Sequence, residues 1–158
     1  MKKFYILFST VFRIGYFPFA PGTIGTLFAA SLYLILPLDF KSINFTEAFF
    51  LIFFAGLSIP IITRTEDYLS HDDKRIVIDE VFGYIVAVLF FDKTLLIIIL
   101  GFVFFRIFDI LKPEPVDVLQ KLPGGFGVLL DDIMAGIYAN ISIRIVFLVM
   151  DKIIMNIK

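Results

Sequence analysis

IVIDEVFGYIVAVLFFDKTLLIIILGFVFFRIFDIL, residues 76–111, contains two long apolar runs, Ile76 to Phe91 and Thr94 to Leu111, joined only by Asp92-Lys93. The apolar positions are continuous, whereas a half-buried strand would alternate apolar with polar residues. An open sheet edge also leaves N–H and C=O groups unsatisfied in lipid, so helices are the remaining solution for chains this apolar. Each run carries its acids at one end: Asp79-Glu80 at the start of the first, Asp109 at the close of the second.

Three further stretches flank this pair. Ile14 to Leu38 carries no charge, and Pro18, Pro21 and Gly22 break its first half. A helix is expected from near Thr23 to about Leu36, with Thr23 as its N-cap. Ala48 to Thr63 is kinked or ended by Pro60, and Asp132 to Met150 is interrupted by Arg144. Such helices reach roughly 22–28 Å at about 1.5 Å per residue, slightly short of a hydrocarbon core near 30 Å. Their polar ends therefore belong at the lipid interface. Met1-Lys2-Lys3 followed by Phe4 to Phe12 imitates a signal peptide but has no small-x-small site and meets Arg13, so a retained amphipathic or interfacial helix is expected. The expected fold is one all-α membrane domain over residues 1–158, with about four to five membrane helices plus that N-terminal helix.

Composition agrees. Hydrophobic residues make up 59% of the 158, charged residues only 18%, and the mean hydropathy is +0.96. Soluble domains run at roughly 45–50% apolar and about 25% charged. A net charge of −1 offers no basic field for nucleic acid, and the absence of cysteine removes disulfides, thiolate metal sites and cysteine nucleophiles. His71 is the only histidine, so any chemistry rests on carboxylates, hydroxyls, Lys, Arg, backbone amides and that one imidazole. With Lys2, Lys3 and Arg13 in the cytoplasm, as positive charge near the first helix suggests, Asp39 to Glu47 and Asp92-Lys93 fall outside. Arg64 to Glu80 and Arg106 to Asp131 then return inside, and the unusual polar segments share one face.

Asp79-Glu80 is embedded in apolar sequence, where acids are costly unless they meet water, a cation or counter-ions. Helix-start acids favouring the dipole are the bland alternative, for this pair and for Asp131-Asp132. Two repelling pairs at two helix starts on one face point to a divalent cation with all-oxygen ligands, Mg²⁺ or Mn²⁺. Arg106, Asp109 and Lys112 recur every three residues, as an i,i+3 ion pair with a snorkelling lysine or as a phosphate grip. Gly124-Gly125-x-Gly127 permits a bend or close approach to an anion, and Pro21-Gly22-Thr23 offers a helix N-terminus to a phosphate or simply starts a helix. Gly25, Gly83 and Gly136 read as helix-packing positions. His71, beside Asp72 and Asp73, is either solvated or a proton donor to a leaving group.

In order, Ala20-Pro21-Gly22-Thr23-x-Gly25-Thr26, Ile78-Asp79-Glu80-x-x-Gly83, Phe105-Arg106-x-Phe108-Asp109-x-x-Lys112-Pro113-x-Pro115 and Gly124-Gly125-x-Gly127-x-x-x-Asp131-Asp132-x-x-Ala135-Gly136 resemble the phosphatidylglycerophosphatase A family, from about Gly15 to Tyr138. The resemblance implies an all-α, Mg²⁺-dependent lipid phosphatase of the bacterial cytoplasmic membrane, with its active site on the cytoplasmic face. Its substrate in the bilayer would be phosphatidylglycerophosphate, and its products phosphatidylglycerol and phosphate. Residue chemistry narrows the mechanism to metal-assisted attack by water. Asp79, Glu80, Asp131 and Asp132 would hold metal, with Asp72 or Asp109 as further candidates. Arg106 and Lys112 would neutralise phosphoryl oxygens, Thr23, Gly124 and Gly125 would lie against the substrate, and His71 or a carboxylate would assist proton transfer. The competing readings are a small ion-coupled transporter or channel subunit, which would want its carboxylates near mid-membrane, and a purely structural subunit.

Overall fold

The computed structural model describes residues 1–37 and 40–157. The Leu38 end of the second apolar stretch and Asp39 of the following loop lie outside the described residues. Seven α-helices follow one another: α1 Lys2–Ser9, α2 Pro21–Ile35, α3 Phe45–Glu66, α4 Ile78–Val88, α5 Leu95–Leu111, α6 Val116–Gln120 and α7 Gly125–Ile157. A 3₁₀ turn at Ile14–Tyr16 joins α1 to α2, and no strand occurs among the described residues.

Several boundaries differ from expectation, each for a local reason. Helix α2 begins at Pro21, not near Thr23: proline presets the helical φ and has no N–H to orphan at the first position. Its N-cap is Ala20, held at φ 46 with no side-chain cap, so Thr23 lies inside the first turn. Pro60 neither ends nor divides α3, which runs through it for 22 residues from an Asn44–Glu47 capping box. Helix α7 starts at Gly125, well before Asp132, because Gly124 turns the chain at φ +63 and Thr63 Oγ1 accepts the Gly125 N–H at 2.8 Å. The acids Asp131-Asp132 therefore sit about two turns inside α7, and helix-start capping does not explain them.

Helices α2, α4 and α7 run parallel, with their N-termini at one end of the bundle. Gly22 lies against Glu80, and Tyr33 meets Tyr84 edge-on at 6.4 Å between centroids. A β-carbon on Gly136 would strike the Gly83 carbonyl oxygen, and one on Gly83 would strike both the Phe105 ring and the Asp132 carbonyl. These glycines let α4 and α7 touch backbone to backbone. Helices α3 and α5 run the opposite way and bring their C-termini to the same end. The core between α2, α4, α5 and α7 is built on buried Tyr33, Tyr84, Phe105, Ala135 and Ile143. A second apolar cluster, Ile62, Ile76, Phe82, Val128 and Leu129, joins α3 to α4 and α7.

Two helices are long and apolar enough to cross a membrane: Phe45–Glu66, and Gly125–Asn156 within α7. Only 17% and 22% of their most apolar windows is buried, so most of their apolar surface faces outward. Phe49, Ile52, Phe53, Ile141, Ile145 and Leu148 instead project outward. Helix length by itself thus accounts for two crossings, not the four to five expected, since α2, α4 and α5 have 15, 11 and 17 residues. The N-terminal helix is not loosely laid on the bundle. Ser9 is fully buried, its hydroxyl bonds Thr65 Oγ1 at 2.8 Å, and its carbonyl accepts the Val77 N–H at 2.9 Å.

A helix as short as α4, ending inside apolar surroundings, leaves its last carbonyls without partners. Asn140 of α7 resolves this: its Nδ2 donates to the carbonyls of Val86, Ala87 and Leu89 at 3.1, 3.2 and 2.8 Å. Arg144 Nε donates to Asn140 Oδ1 at 3.0 Å and its guanidinium stacks over Phe91. Asn140→Ala should lower unfolding free energy in detergent by about 1–3 kcal/mol, the cost of stranding buried acceptors. Ile141→Ala, at an exposed neighbouring position, should be nearly neutral. Equal thermal midpoints for the two variants would show that the α4 terminus does not depend on Asn140.

Candidate active site

The shared end of α2, α4, α5 and α7 gathers five carboxylates and two cations. Asp79 and Glu80 occupy the first turn of α4, Asp131 and Asp132 come from α7, and all four are buried. One oxygen from each of Asp79, Glu80 and Asp132 lies within 4.8 Å of the others. Asp79 Oδ1, Glu80 Oε2 and Asp132 Oδ2 are buried without a hydrogen-bond partner. Two unit charges at that separation repel by about 3.5 kcal/mol at an effective dielectric near 20. Three carboxylates that each bring an oxygen within 4.8 Å of the others, and each carry a buried oxygen without a partner, are the donor set a hard divalent cation takes, so the residues present fit such an ion.

The remaining acids are occupied by bases. Lys112 is the C-cap of α5, turned at φ 43 before Pro113, and its Nζ reaches Asp131 Oδ2 at 2.6 Å. Burial alone would lower the pKa of this amine, but its hydrogen bond to Asp131 and the charges of Asp131, Asp109 and Asp132 raise it above the ordinary lysine value. Arg106 Nη1 pairs with Asp109 Oδ2 at 2.7 Å across one turn of α5 and lies 3.4 Å from Thr26 Oγ1. The Arg106 Nε is buried and unpartnered. The ion pair and the phosphate grip weighed for these residues coexist: Asp109 fixes one arm of the fork while Nε stays unused.

Helix α2 supplies backbone to the same place. A β-carbon on Gly22 would collide with Glu80 Oε1 and come within 3.2 Å of Arg106 Nη1. Glycine there lets the first turn of α2, with no side-chain cap, press against an acid and a guanidinium. Thr26 Oγ1 donates to the Gly22 carbonyl at 2.9 Å. Gly22 and Thr26 both stand within the motif read from the sequence, which assigned the contact to Thr23.

Other expected residues are placed elsewhere. His71 is exposed on the loop before α4, its Nδ1 2.7 Å from Glu66 Oε1, and does not join the three-acid group. Asp72 is also exposed on that loop, accepting a hydrogen bond from Gln120 of α6. Its charge still reaches Asp131, so it belongs to the rim of the cluster. Gly124 and Gly125 are used in packing: Thr63 occupies the Gly125 N–H, and a side chain at Gly124 would meet Thr63. Nearby Asp73 is held to a pKa of about 2 by its side-chain hydrogen bonds from Arg75, at 2.7 and 2.6 Å, against the opposing effect of burial. That pair, with Arg75 over the Tyr16 ring at 5.5 Å, fixes the loop that enters α4.

Comparison with known proteins identifies the family. The family model described as phosphatidylglycerophosphatase A matches residues 7–147. A Bacteroides thetaiotaomicron protein provisionally named a phosphatidylinositol-3-phosphatase is 37% identical over 147 residues, 89% of this chain and 91% of its own. The Haemophilus influenzae phosphatidylglycerophosphatase A is 37% identical over 126 residues, 78% of this chain and 77% of its own. The Escherichia coli phosphatidylglycerophosphatase A is 31% identical over 137 residues, covering 83% and 76%. No solved structure matches. With its acids, its arginine fork and its glycine contacts in the matched region, the chain belongs to the phosphatidylglycerophosphatase A family.

Proposed function

We propose that this chain hydrolyses the phosphate monoester of a membrane phospholipid, converting phosphatidylglycerophosphate to phosphatidylglycerol and inorganic phosphate with Mg²⁺ as cofactor. The family supports the substrate class. The observation that carries the site is the convergence of three buried carboxylates, each with an unpartnered oxygen, beside the Arg106 fork at one end of an apolar bundle.

Asp79, Glu80 and Asp132 would hold the cation, which when bound supplies positive charge to the phosphoryl oxygens and lowers the pKa of water. Arg106, oriented by Asp109 and Thr26, binds the phosphate through its unused Nε. The N–H groups of Gly22 and Thr23 at the start of α2 add donors, and the N-terminal dipoles of α2 and α4 favour an anion there. Asp131, outside the three-acid group and kept close by Lys112, accepts a proton from the attacking water. A bond forms from the water oxygen to phosphorus, the bond from phosphorus to the glycerol oxygen breaks, and that oxygen takes up the proton that Asp131 removed from the water. His71, spent on Glu66, is not needed. An ion path through the membrane is the weaker reading, because the acids gather at one end.

The bilayer would surround α3, α7 and the exposed faces of α5, with the shorter helices completing a multi-pass bundle. The acid end would face the cytoplasm of a bacterial inner membrane. Cysteines replacing Lys74 and Lys121 should then resist impermeant thiol reagents in intact cells while one replacing Ser42 reacts. Opposite labelling of the first two would break the one-face placement.

The deciding experiment is phosphate release by the detergent-purified protein from phosphatidylglycerophosphate, phosphatidate and a 3-phosphorylated phosphoinositide, with and without Mg²⁺. The first lipid should be preferred. Preference for the inositol lipid would transfer the reading to the activity named for the Bacteroides relative. Asp79→Asn, Glu80→Gln and Asp132→Asn should each reduce turnover by at least about 100-fold, the scale of losing one strong electrostatic contact. Near-normal rates for two of the three would place the cation elsewhere. Asp131→Asn should lower kcat and flatten its acid limb while Mn²⁺ binding, followed by electron spin resonance, persists. Arg106→Lys keeps the charge but loses the fork, so it should raise KM for lipid more than the Mg²⁺ requirement. A changed Mg²⁺ requirement with unchanged KM would make Arg106 a support for Asp109 alone.

A further inference from the structure

Where α1 meets the 3₁₀ turn, a second concave site opens that none of the clustered acids lines. Its walls are Lys3, Ile6, Leu7, Arg13 and Tyr16, enclosing about 550 Å³. The lining combines aliphatic Ile6 and Leu7 with two cations, Lys3 and Arg13. Neighbouring bases are engaged: Arg75 pairs with Asp73 and stacks on Tyr16, and Lys2 lies over the Tyr68 ring at 5.1 Å. Lys3 and Arg13 have no ion-pair partner among the described residues.

The backbone holds Arg13 in place at a cost. Val11, Phe12 and Arg13 stand consecutively in the left-handed region, at φ 44, 53 and 74. For a β-branched residue such as Val11 that conformation is strained. The strain is borne by a buried anchor, since Val11 is in the core and Ser9 and Thr10 are fully buried beside it. The turn points Phe12 and Arg13 outward together. Phe4, Phe12, Phe17 and Phe19, next to the lining residues in sequence, are also exposed. Cations without an ion-pair partner beside aliphatic lining, in a segment with exposed aromatics, match a phosphodiester headgroup with its acyl chains alongside.

We propose that this cavity is a second phospholipid site, separate from the acid cluster, that binds one anionic phospholipid of the surrounding leaflet through Lys3 and Arg13. A zwitterionic headgroup brings its own ammonium and gains less from the two cations, so the site discriminates by net charge. The lipid would tie α1 to the bilayer surface and, through the Ser9 contacts to Thr65 and Val77, steady the loop entering α4.

The test uses the full chain in a neutral detergent and reads lipid binding, so it is independent of phosphatase activity. Dioleoylphosphatidylserine and dioleoylphosphatidylcholine are titrated separately, and bound lipid per protein is measured by native mass spectrometry. Wild type should retain one phosphatidylserine in preference to phosphatidylcholine. Lys3→Gln with Arg13→Gln should weaken that binding by about 25-fold, at roughly five-fold per cation near an anionic lipid. Lys3→Arg with Arg13→Lys should restore it, and all forms should share one thermal midpoint without lipid. Hydrolysis of substrate in neutral mixed micelles should be unchanged by the double glutamine variant. Equal retention of the two lipids by wild type, or equal phosphatidylserine binding by wild type and the glutamine variant, would overturn the proposal. A rise in KM in neutral micelles with lipid binding unchanged would assign the cations to substrate entry instead.

Discussion

Mutual repulsion among buried carboxylates is the constraint around which the rest of the structure is arranged. Asp79, Glu80 and Asp132 converge within 4.8 Å, with Asp131 and Asp109 close by, in a part of the bundle with little access to water. Such a group stands only if positive charge is built around it. Lys112 answers Asp131 and Arg106 answers Asp109. The N-termini of α2 and α4 point their dipoles into the same space, and a divalent cation, on the proposed reading, supplies what is still lacking. Removing any one of these leaves charge uncompensated in a poor solvent for it.

The helix arrangement follows from bringing those groups together. Three parallel helices can share an N-terminal end only if long antiparallel partners return the chain, which is the work of α3 and α5. Close approach of α4 to α7 requires Gly83 and Gly136, since any β-carbon there meets backbone or the Phe105 ring. Helix α4 is short because only its first turns serve the acids, and the open carbonyls at its far end are taken up by Asn140. One helix, α7, thus presents acid at one point and caps its partner at another, so the site and the stability of α4 depend on a single register.

The glycines show how local chemistry is reused. Gly22 brings an uncapped helix start to Glu80 and Arg106, while Gly124 and Gly125 deliver α7 to Thr63 of α3. Both are glycine-rich helix starts by sequence, yet only the first meets the charged cluster. The difference lies in what each N–H finds: Thr63 satisfies Gly125, whereas no side chain caps α2.

Helical class, the apolar outer surface and the identity of the acids were legible in the sequence, because they depend on continuous hydrophobicity and on carboxylates stranded within it. Arg106, Asp109 and Lys112 were legible as a unit because their three-residue spacing is local. The helix starts were less so: Thr23 reads as a cap and Asp132 as a beginning, yet Pro21 and Gly125 start the helices through a preset φ and a threonine 62 residues distant in sequence. Which acids converge, and which are spent on lysine, required the register of α4 against α7. His71 and Asp72 stand in a polar loop close in sequence to Asp79 and Glu80, and that adjacency carries no distance in space. Only the packed bundle separates them, leaving His71 with Glu66 on an exposed loop and Asp79, Glu80 and Asp132 with oxygens that no protein group satisfies.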